Sequence, residues 1–293
     1  MLDLLQMFRE LYDQTPGNVF DDPALGPMFD PPLVAVASAD DLWFARLKDV
    51  IGSFHWTPRE ALALVAPQAV ARSVICWCLP VSRPAREGNR ARTDRPDRLW
   101  AYVRRFGEPF NDSLRRAVAE HLAASGRAAV APTIAPQNQI IRRPVVGHSS
   151  NWSERHVAFV AGMGTFGLSG GLITRAGVAH RLGSVVTDLE LPPTPRAYGD
   201  EPFAWCLHLT RGTCGACISR CPAKSIGRAV SERDRDACYR YSYEMIARQS
   251  MELYGFDGTT GCGLCQTRVP CEYRKPTTSS GPDGAGPARH ATS

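Results

Sequence analysis

Eight of the ten cysteines in this 293-residue chain fall between Cys206 and Cys271. So many thiols in so short a stretch need a common purpose. They are spaced as ligands: Cys214-Gly-Ala-Cys217-Ile-Ser-Arg-Cys221-Pro222, then Cys238, then Cys262-Gly-Leu-Cys265 and Cys271. The tail of the first run, C-x2-C-x3-C-P, matches the last three cysteines of the bacterial ferredoxin run C-x2-C-x2-C-x3-C-P. The missing first position falls on Arg211, which cannot ligate iron, so Cys206 is required in its place across a seven-residue gap. A C-x2-C turn lets two thiolates grip neighbouring irons, and proline after the last cysteine ends the turn. In two-cluster ferredoxins the fourth cysteine of each run crosses to the other cluster. By that logic Cys206, Cys214, Cys217 and Cys271 hold one [4Fe–4S] cluster, and Cys221, Cys238, Cys262 and Cys265 hold the other. Zinc is the competing reading, since two C-x2-C pairs also suit it. The Cys-Pro dipeptide and the crossing pattern favour iron–sulfur. Cys76 and Cys78 lie two apart on a predicted strand and read as core packing.

Composition is that of a soluble globular protein, with 44% hydrophobic and 22% charged residues, which argues against general disorder. The opening MLDLLQMFRELY carries Asp3 and has the apolar spacing of an amphipathic helix rather than of a secretory signal. No apolar run approaches the roughly 18–20 residues that span a bilayer. A cytoplasmic location is therefore expected, where clustered cysteines are more often metal ligands than disulfides. The net charge of +5 is mild, but Arg86, Arg90, Arg92, Arg95 and Arg98 crowd one segment. That segment reads either as a solvated loop or as a basic rim for a phosphate-bearing cofactor or nucleic acid.

Four regions follow along the chain. Residues 1–68 read as a helical region broken by the loop DDPALGPMFDPP. Residues 69–195 alternate strand and helix. A strand is expected at Ala71–Leu79, with helices at Arg98–Phe106 and Asn111–Ser125 separated by Gly107 and Pro109. Further strands are expected at Ala128–Ile134, Arg143–Val146, Leu172–Thr174 and Leu182–Leu189, the last two as a hairpin. A helix capped by Asn151 or Ser153 runs to Val160. Residues 196–275, past the PPTP run, lose hydrophobic periodicity and are expected to be organised by metal. Residues 276–293 have the composition of a disordered tail. The fold class expected is α+β, an α/β cofactor domain with a small two-cluster domain.

With these motifs in view, the chain resembles the epoxyqueuosine reductases, relatives of the cobalamin-dependent reductive dehalogenases. The resemblance is carried by Ser153-Glu154-Arg155-His156 leading into Ala161-Gly162-Met163-Gly164-Thr165-Phe166-Gly167, by Gly183–Pro193 (GSVVTDLELPP), by the cysteine run, by Cys238 opening CYRYSYEMI, and by Gly261-Cys262-Gly263-Leu264-Cys265-Gln266. It implies a nitroreductase-like domain holding cobalamin against a ferredoxin-like module, and a reductase fed by a donor such as ferredoxin or flavodoxin. Gly162, Gly164 and Gly167 would let backbone approach the macrocycle, with Thr165 and Ser169 bonding its amides. Tyr102 falls in the segment that faces the cofactor. Family members carry an aspartate proton donor six residues before the Glu of the Glu-Arg pair. Here that position is His148, an imidazole that titrates near neutrality and so suits a general acid. The tRNA-binding repeats of longer members have no counterpart in these residues, so the expected substrate is a small molecule other than tRNA. Two alternatives stand beside this reading: an electron-transfer or corrinoid-reactivating protein acting on a partner, and a flavin-binding domain.

Overall fold

The computed structural model describes residues 2–143 and 147–277. The elements in chain order are α1 (Leu2–Gln14), β1 (Leu33–Ser38), α2 (Trp43–Val50), α3 (Pro58–Ala63), β2 (Ser73–Pro80), α4 (Arg83–Arg90), α5 (Arg98–Ala124), β3 (Ala129–Val130), β4 (Ile140–Arg143), β5 (Gly147–Ser150) and α6 (Glu154–Val160). There follow β6 (Gly164–Phe166), β7 (Leu172–Thr174), β8 (His180–Thr187) and the short helices α7 (Leu207–Arg211), α8 (Ala216–Ser219) and α9 (Arg235–Tyr239). The result is a mixed helix-and-strand fold.

Two compact units share the chain. The sheet unit holds the described residues up to Ser82, those from Tyr102 to Gly164, and His180–Pro202. The cysteine unit holds Arg83–Ala101, Thr165–Ala179 and the described residues from Phe203 onward. Both are discontinuous in sequence, whereas composition had suggested consecutive segments.

The sheet unit is built on a four-stranded sheet in the order β1-β2-β8-β3, and β2 pairs antiparallel with β1 and β8. Every residue of β2 is buried, because this strand is covered on both faces and flanked on both edges. Cys76 and Cys78 sit here, opposite Ala35 and Leu33 of β1, as core residues. Three strands differ from the sequence expectation. β1, from LVAVAS, belongs to the sheet, so the first 68 residues are not helical alone. β8 pairs with β2 and β3, and not with β7 as a hairpin. Residues 128–134 form only the two-residue β3 followed by a 3-10 turn at Pro132–Ile134. Of the strand expected at Arg143–Val146, Arg143 ends β4 and the remainder lies outside the described residues.

Helix α5 runs straight through Gly107 and Pro109, where two helices were expected. Proline inside a helix deletes one backbone hydrogen bond and crowds the preceding turn. Burial on either side outweighs that cost: Phe110 packs against Tyr12 and Phe29, and Leu114 and Val118 are fully buried. Each such side chain contributes roughly 1.5–3 kcal/mol when removed from water.

Polar groups on this helix are buried as well. Asn111 accepts from the Trp77 indole (2.8 Å) and donates to the Leu182 carbonyl (2.9 Å). Arg115, 1% exposed, donates to Leu182 O, Glu108 and Asp112, and lies 3.5 Å from Glu154. Glu154 in turn accepts from Thr133 and Ser184, and Ser184 accepts from the Trp152 indole. Burial pushes the Glu154 carboxyl up despite Arg115. For Glu108 burial acts in the same direction, but Arg115, Arg181 and Arg104 outweigh it and hold the carboxyl at about 2 against an ordinary 4.5. Glu108 therefore contributes stability that is complete above pH 4.5 and lost as the pH falls towards 2. The loss is on the order of 2 kcal/mol. Denaturant titrations from pH 6 to pH 3 should show Glu108→Gln less stable than the wild type at pH 6, with the gap closing as the pH falls. A gap that stayed constant would exclude this role.

Candidate metal centre

The cysteine unit brings the eight clustered cysteines into two neighbouring groups. Burial pushes the Cys217 thiol up to about 12, and the thiols of Cys265, Cys206 and Cys214 push it further in the same direction. Cys271 is raised by burial and then by Cys217, Cys206 and Cys214. One small apolar pocket is lined by all four of Cys206, Cys214, Cys217 and Cys271, together with Leu168, Ile173, Leu207 and Val269. In the second group, burial lifts Cys262 to about 12, with Cys265, Cys238 and Cys221 adding to it. Burial also lifts Cys265, to about 11, where Arg233 opposes the rise and Cys238 and Cys221 reinforce it.

Several short-range interactions hold these thiols in place. Cys206, distant in sequence from the rest of its run, is positioned by Thr165, whose buried hydroxyl accepts from the Trp205 N–H (3.0 Å). Thr210 donates back to the Cys206 carbonyl (2.8 Å). The Cys271 carbonyl accepts from Val178 N–H (2.8 Å), just after β7. Cys221 Sγ receives the Ser225 N–H (3.3 Å) and meets the Ser225 hydroxyl at 3.2 Å. The next link is Asp234, which donates its N–H to Ser225 O (2.9 Å) and accepts from Cys238 N–H (3.3 Å). Asp234 also caps α9, where its carboxylate takes the Ala237 N–H and fixes the helix that presents Cys238. His208 bridges the carbonyls of Cys214 and Arg228.

Arginine does the remaining positioning. Arg220, between Cys217 and Cys221, donates to the carbonyls of Asn89, Arg92, Leu264 and Thr267. Glu272, 1% exposed and next to Cys271, pairs with Arg86 and Arg90 and accepts the Arg268 N–H. The arginine-rich segment thus begins as a helix, α4, which holds Arg86 and Arg90, and continues as a loop carrying Arg92 and Arg95. Arg83 pairs with Glu87, Arg86 and Arg90 with Glu272, and Arg92 with Asp97. The solvated-loop reading holds for residues 91–95, which are exposed and outside the helix, and not for α4. Arg220 stood in plain view between two cysteines, but only the fold shows which carbonyls it reaches.

Other residues expected at a cofactor site are placed as follows. Gly162 has φ +81° and lies where a Cβ would meet the carbonyls of Pro195 and Thr194 at 3.0 and 3.1 Å, so chain packing alone requires glycine there. Gly164 opens β6 and is buried. Gly167 and Ser169 line the first cysteine pocket. Tyr102 packs against Phe20 and Phe106 in an aromatic cluster of the sheet unit. His148 is exposed on β5, paired in register with Arg142 of β4.

Among the described residues, no three His, Cys, Asp or Glu side chains converge as ligands of a single metal ion, and no helix is long and apolar enough to cross a membrane. The donor set fits iron–sulfur clusters on other grounds. The first set offers four thiols around one largely apolar pocket, and buried thiols crowded together ionise only beside compensating positive charge, which a bound metal supplies.

No family model matches the sequence, and no curated protein matches it. Solved structures do. The catabolic reductive dehalogenase NpRdhA aligns with a TM-score of 0.52 at 15% identity, over 92% of this chain and 37% of that one. Its complex with 3-bromo-4-hydroxybenzoic acid gives 0.52 at 13% identity, over 93% and 37%. Epoxyqueuosine reductase from Streptococcus thermophilus aligns with a TM-score of 0.46 at 17% identity, over 96% of this chain and 69% of that one. These structures come from the two groups that the motifs resemble. At such identities the likeness is one of fold, and this chain spans little more than a third of the dehalogenase.

Three substitutions probe the assembly. Anaerobically reconstituted Cys206→Ser and Cys238→Ser should each fall from about eight irons per chain to about four, and the double variant should hold none. Unchanged iron in Cys206→Ser would exclude that residue as a ligand. Glu272→Gln should cost about 3 kcal/mol in the metal-free chain, since it strands two arginines, and should lower its Tm.

Proposed function

We propose that this chain is an iron–sulfur reductase. In this reading Cys206, Cys214, Cys217 and Cys271 would hold one [4Fe–4S] cluster, Cys221, Cys238, Cys262 and Cys265 would hold a second, and a bound cobalamin would supply the chemistry for reducing a small molecule other than tRNA. The observation that carries it is the convergence of eight buried or half-buried thiols into two sets of four, one of them around a single pocket. The cysteine unit is read as ferredoxin-like and the sheet unit as nitroreductase-like. A ferredoxin or flavodoxin would supply the electrons, in the cytoplasm.

When bound, the clusters accept and release single electrons. The chain's own residues provide the setting. Leu168, Ile173, Leu207 and Val269 keep water from the first group, Ser225 donates to Cys221, and Arg220 and Glu272 fix the loops that carry the ligands. For cobalamin the support is the shared fold together with the motif resemblance. The candidate residues themselves are committed elsewhere: Thr165 to Trp205, Gly162 to close packing, and Gly167 and Ser169 to the first cysteine pocket. No step is derived through it. His148, exposed on its hairpin, is the proposed proton donor, with Tyr102 as a second candidate in the sheet unit.

That commitment of the glycine turn favours one second reading, an electron-transfer or corrinoid-reactivating protein whose partner carries the catalytic site. Anaerobic purification with cobalamin supplied, followed by iron and cobalt analysis with visible and EPR spectra, separates the two. The reductase reading expects about eight irons and one cobalt per chain. Eight irons without cobalt would establish the carrier, and a chain without iron would overturn both.

A further inference from the structure

The cysteine unit has an open cavity to which the cluster reading gives no role. It measures about 750 Å³, lies wholly within that unit, and is lined by Thr93, the loop from Gly212 to Ala216, Ser219, Arg220, Arg268 and Pro270. Thr93, Gly212, Thr213, Ser219 and Arg268 are exposed, so the mouth faces solvent. Leu207, Cys214 and Pro270 line both this cavity and the small pocket of the first cysteine set. Cys214 therefore stands in the wall between the open cavity and the four thiols.

The charge around the cavity is one-sided. Two arginines line it and no carboxylate does. Arg220 gives its donors to carbonyls, but a neutral acceptor leaves its charge in place. Arg268 donates its backbone N–H to Glu272, while its exposed side chain has no ion pair or hydrogen bond among the described residues. The same holds for the side chain of Arg211, exposed beside Gly212. Asp94, next to Thr93, lies 3.8 Å from Arg95. The wider field has the same sign. The described residues of the cysteine unit include 18 lysines and arginines against 10 aspartates and glutamates, whereas the sheet unit has 15 against 18. The mild net charge of the chain thus hides a basic unit. Bound clusters, whose irons balance much of the thiolate charge, would offset only part of that excess.

Backbone conformation points the same way. Arg268 has φ +56°, in the left-handed region that favours glycine. Glycine there would relieve the backbone and still donate its N–H to Glu272. An arginine held in that conformation, with its guanidinium unpaired at an open cavity, has its use outside the chain.

Resting on the cluster reading above, we propose that this cavity is the docking surface for an acidic one-electron carrier protein of the ferredoxin or flavodoxin kind, which passes its electron to the first cysteine set through the wall at Cys214. In that step the reduced carrier loses one electron and the cluster gains it, and no bond is made or broken. Carboxylates of the carrier meet Arg211 and Arg268, and the field of the unit steers the encounter. Redox partners of this kind bury little surface and rely on charge for orientation.

The test is anaerobic stopped-flow mixing of the iron-reconstituted chain with a reduced acidic ferredoxin and, separately, a reduced flavodoxin, following loss of the visible cluster absorption. Reduced methyl viologen, a small cation, is the control. At about 10 mM salt, the Arg211→Glu, Arg268→Glu double variant should accept electrons from a carrier about tenfold more slowly than the wild type. The difference should close at about 1 M salt. Its iron content and its rate with methyl viologen should not fall. Arg268→Gly keeps the left-handed turn and the N–H to Glu272, and should be slowed severalfold with the carriers without losing thermal stability. Carrier rates in Arg268→Gly equal to those of the wild type, or an equal slowing with methyl viologen, would overturn the proposal and leave the cluster reading standing. So would a wild type that methyl viologen reduces and neither carrier does. A wild-type chain without iron would instead overturn the cluster reading. If the double variant loses iron, Arg268→Gly decides by itself.

Discussion

The Arg220 guanidinium ties the cysteine unit together. Its donors reach carbonyls at the end of α4 and in the Leu264–Thr267 turn, while its own backbone sits between two cysteines of the first run. Three segments distant in sequence are thereby joined through one planar group whose five N–H donors are fixed in a fork. A unit with few large apolar side chains has few other ways to hold ligand loops in register. Glu272 works in the complementary sense, as a buried anion between two arginines of α4. Held by both, α4 acts as a brace for the cysteine loops, and its Arg86 and Arg90 are accounted for by the Glu272 pairing.

The sheet unit solves a different problem. Its central strand is buried throughout, and the helix beside it carries Asn111 and Arg115 into the core, where Trp77, Leu182 and Glu154 satisfy them. Removing any one member strands the others in a low-dielectric interior, so the network fixes one arrangement of α5 and α6 against the sheet. Glu154 and Trp152 belong to this network, which assigns the Ser-Glu-Arg-His helix start a packing role.

Alternation and length made β2 and α6 readable, because both are strongly patterned and bounded by turn residues. The strand LVAVAS at β1 was hidden inside a region whose loops and flanking helices dominated the local composition. α5 was split on paper because proline and glycine are local punctuation, and only the packing of Phe110, Leu114 and Val118 overrides them. The β8 partner was misassigned for a related reason. Strands close in sequence pair readily, but β8 buries both faces only beside β2. The role read for Thr165 moved too, from a cofactor contact to the strap that sets Cys206 at the first pocket.

The eight clustered cysteines, and the division into two sets of four proposed for them, were legible in the sequence alone, because the chemistry of thiolate binding is written in spacings a few residues long. Tertiary structure decided what surrounds those sets: that Cys206 reaches the first pocket and that α4 gives Arg86 and Arg90 to Glu272. Each of these joins residues tens to nearly two hundred positions apart. Such pairings depend on how the chain closes on itself, which no local pattern encodes.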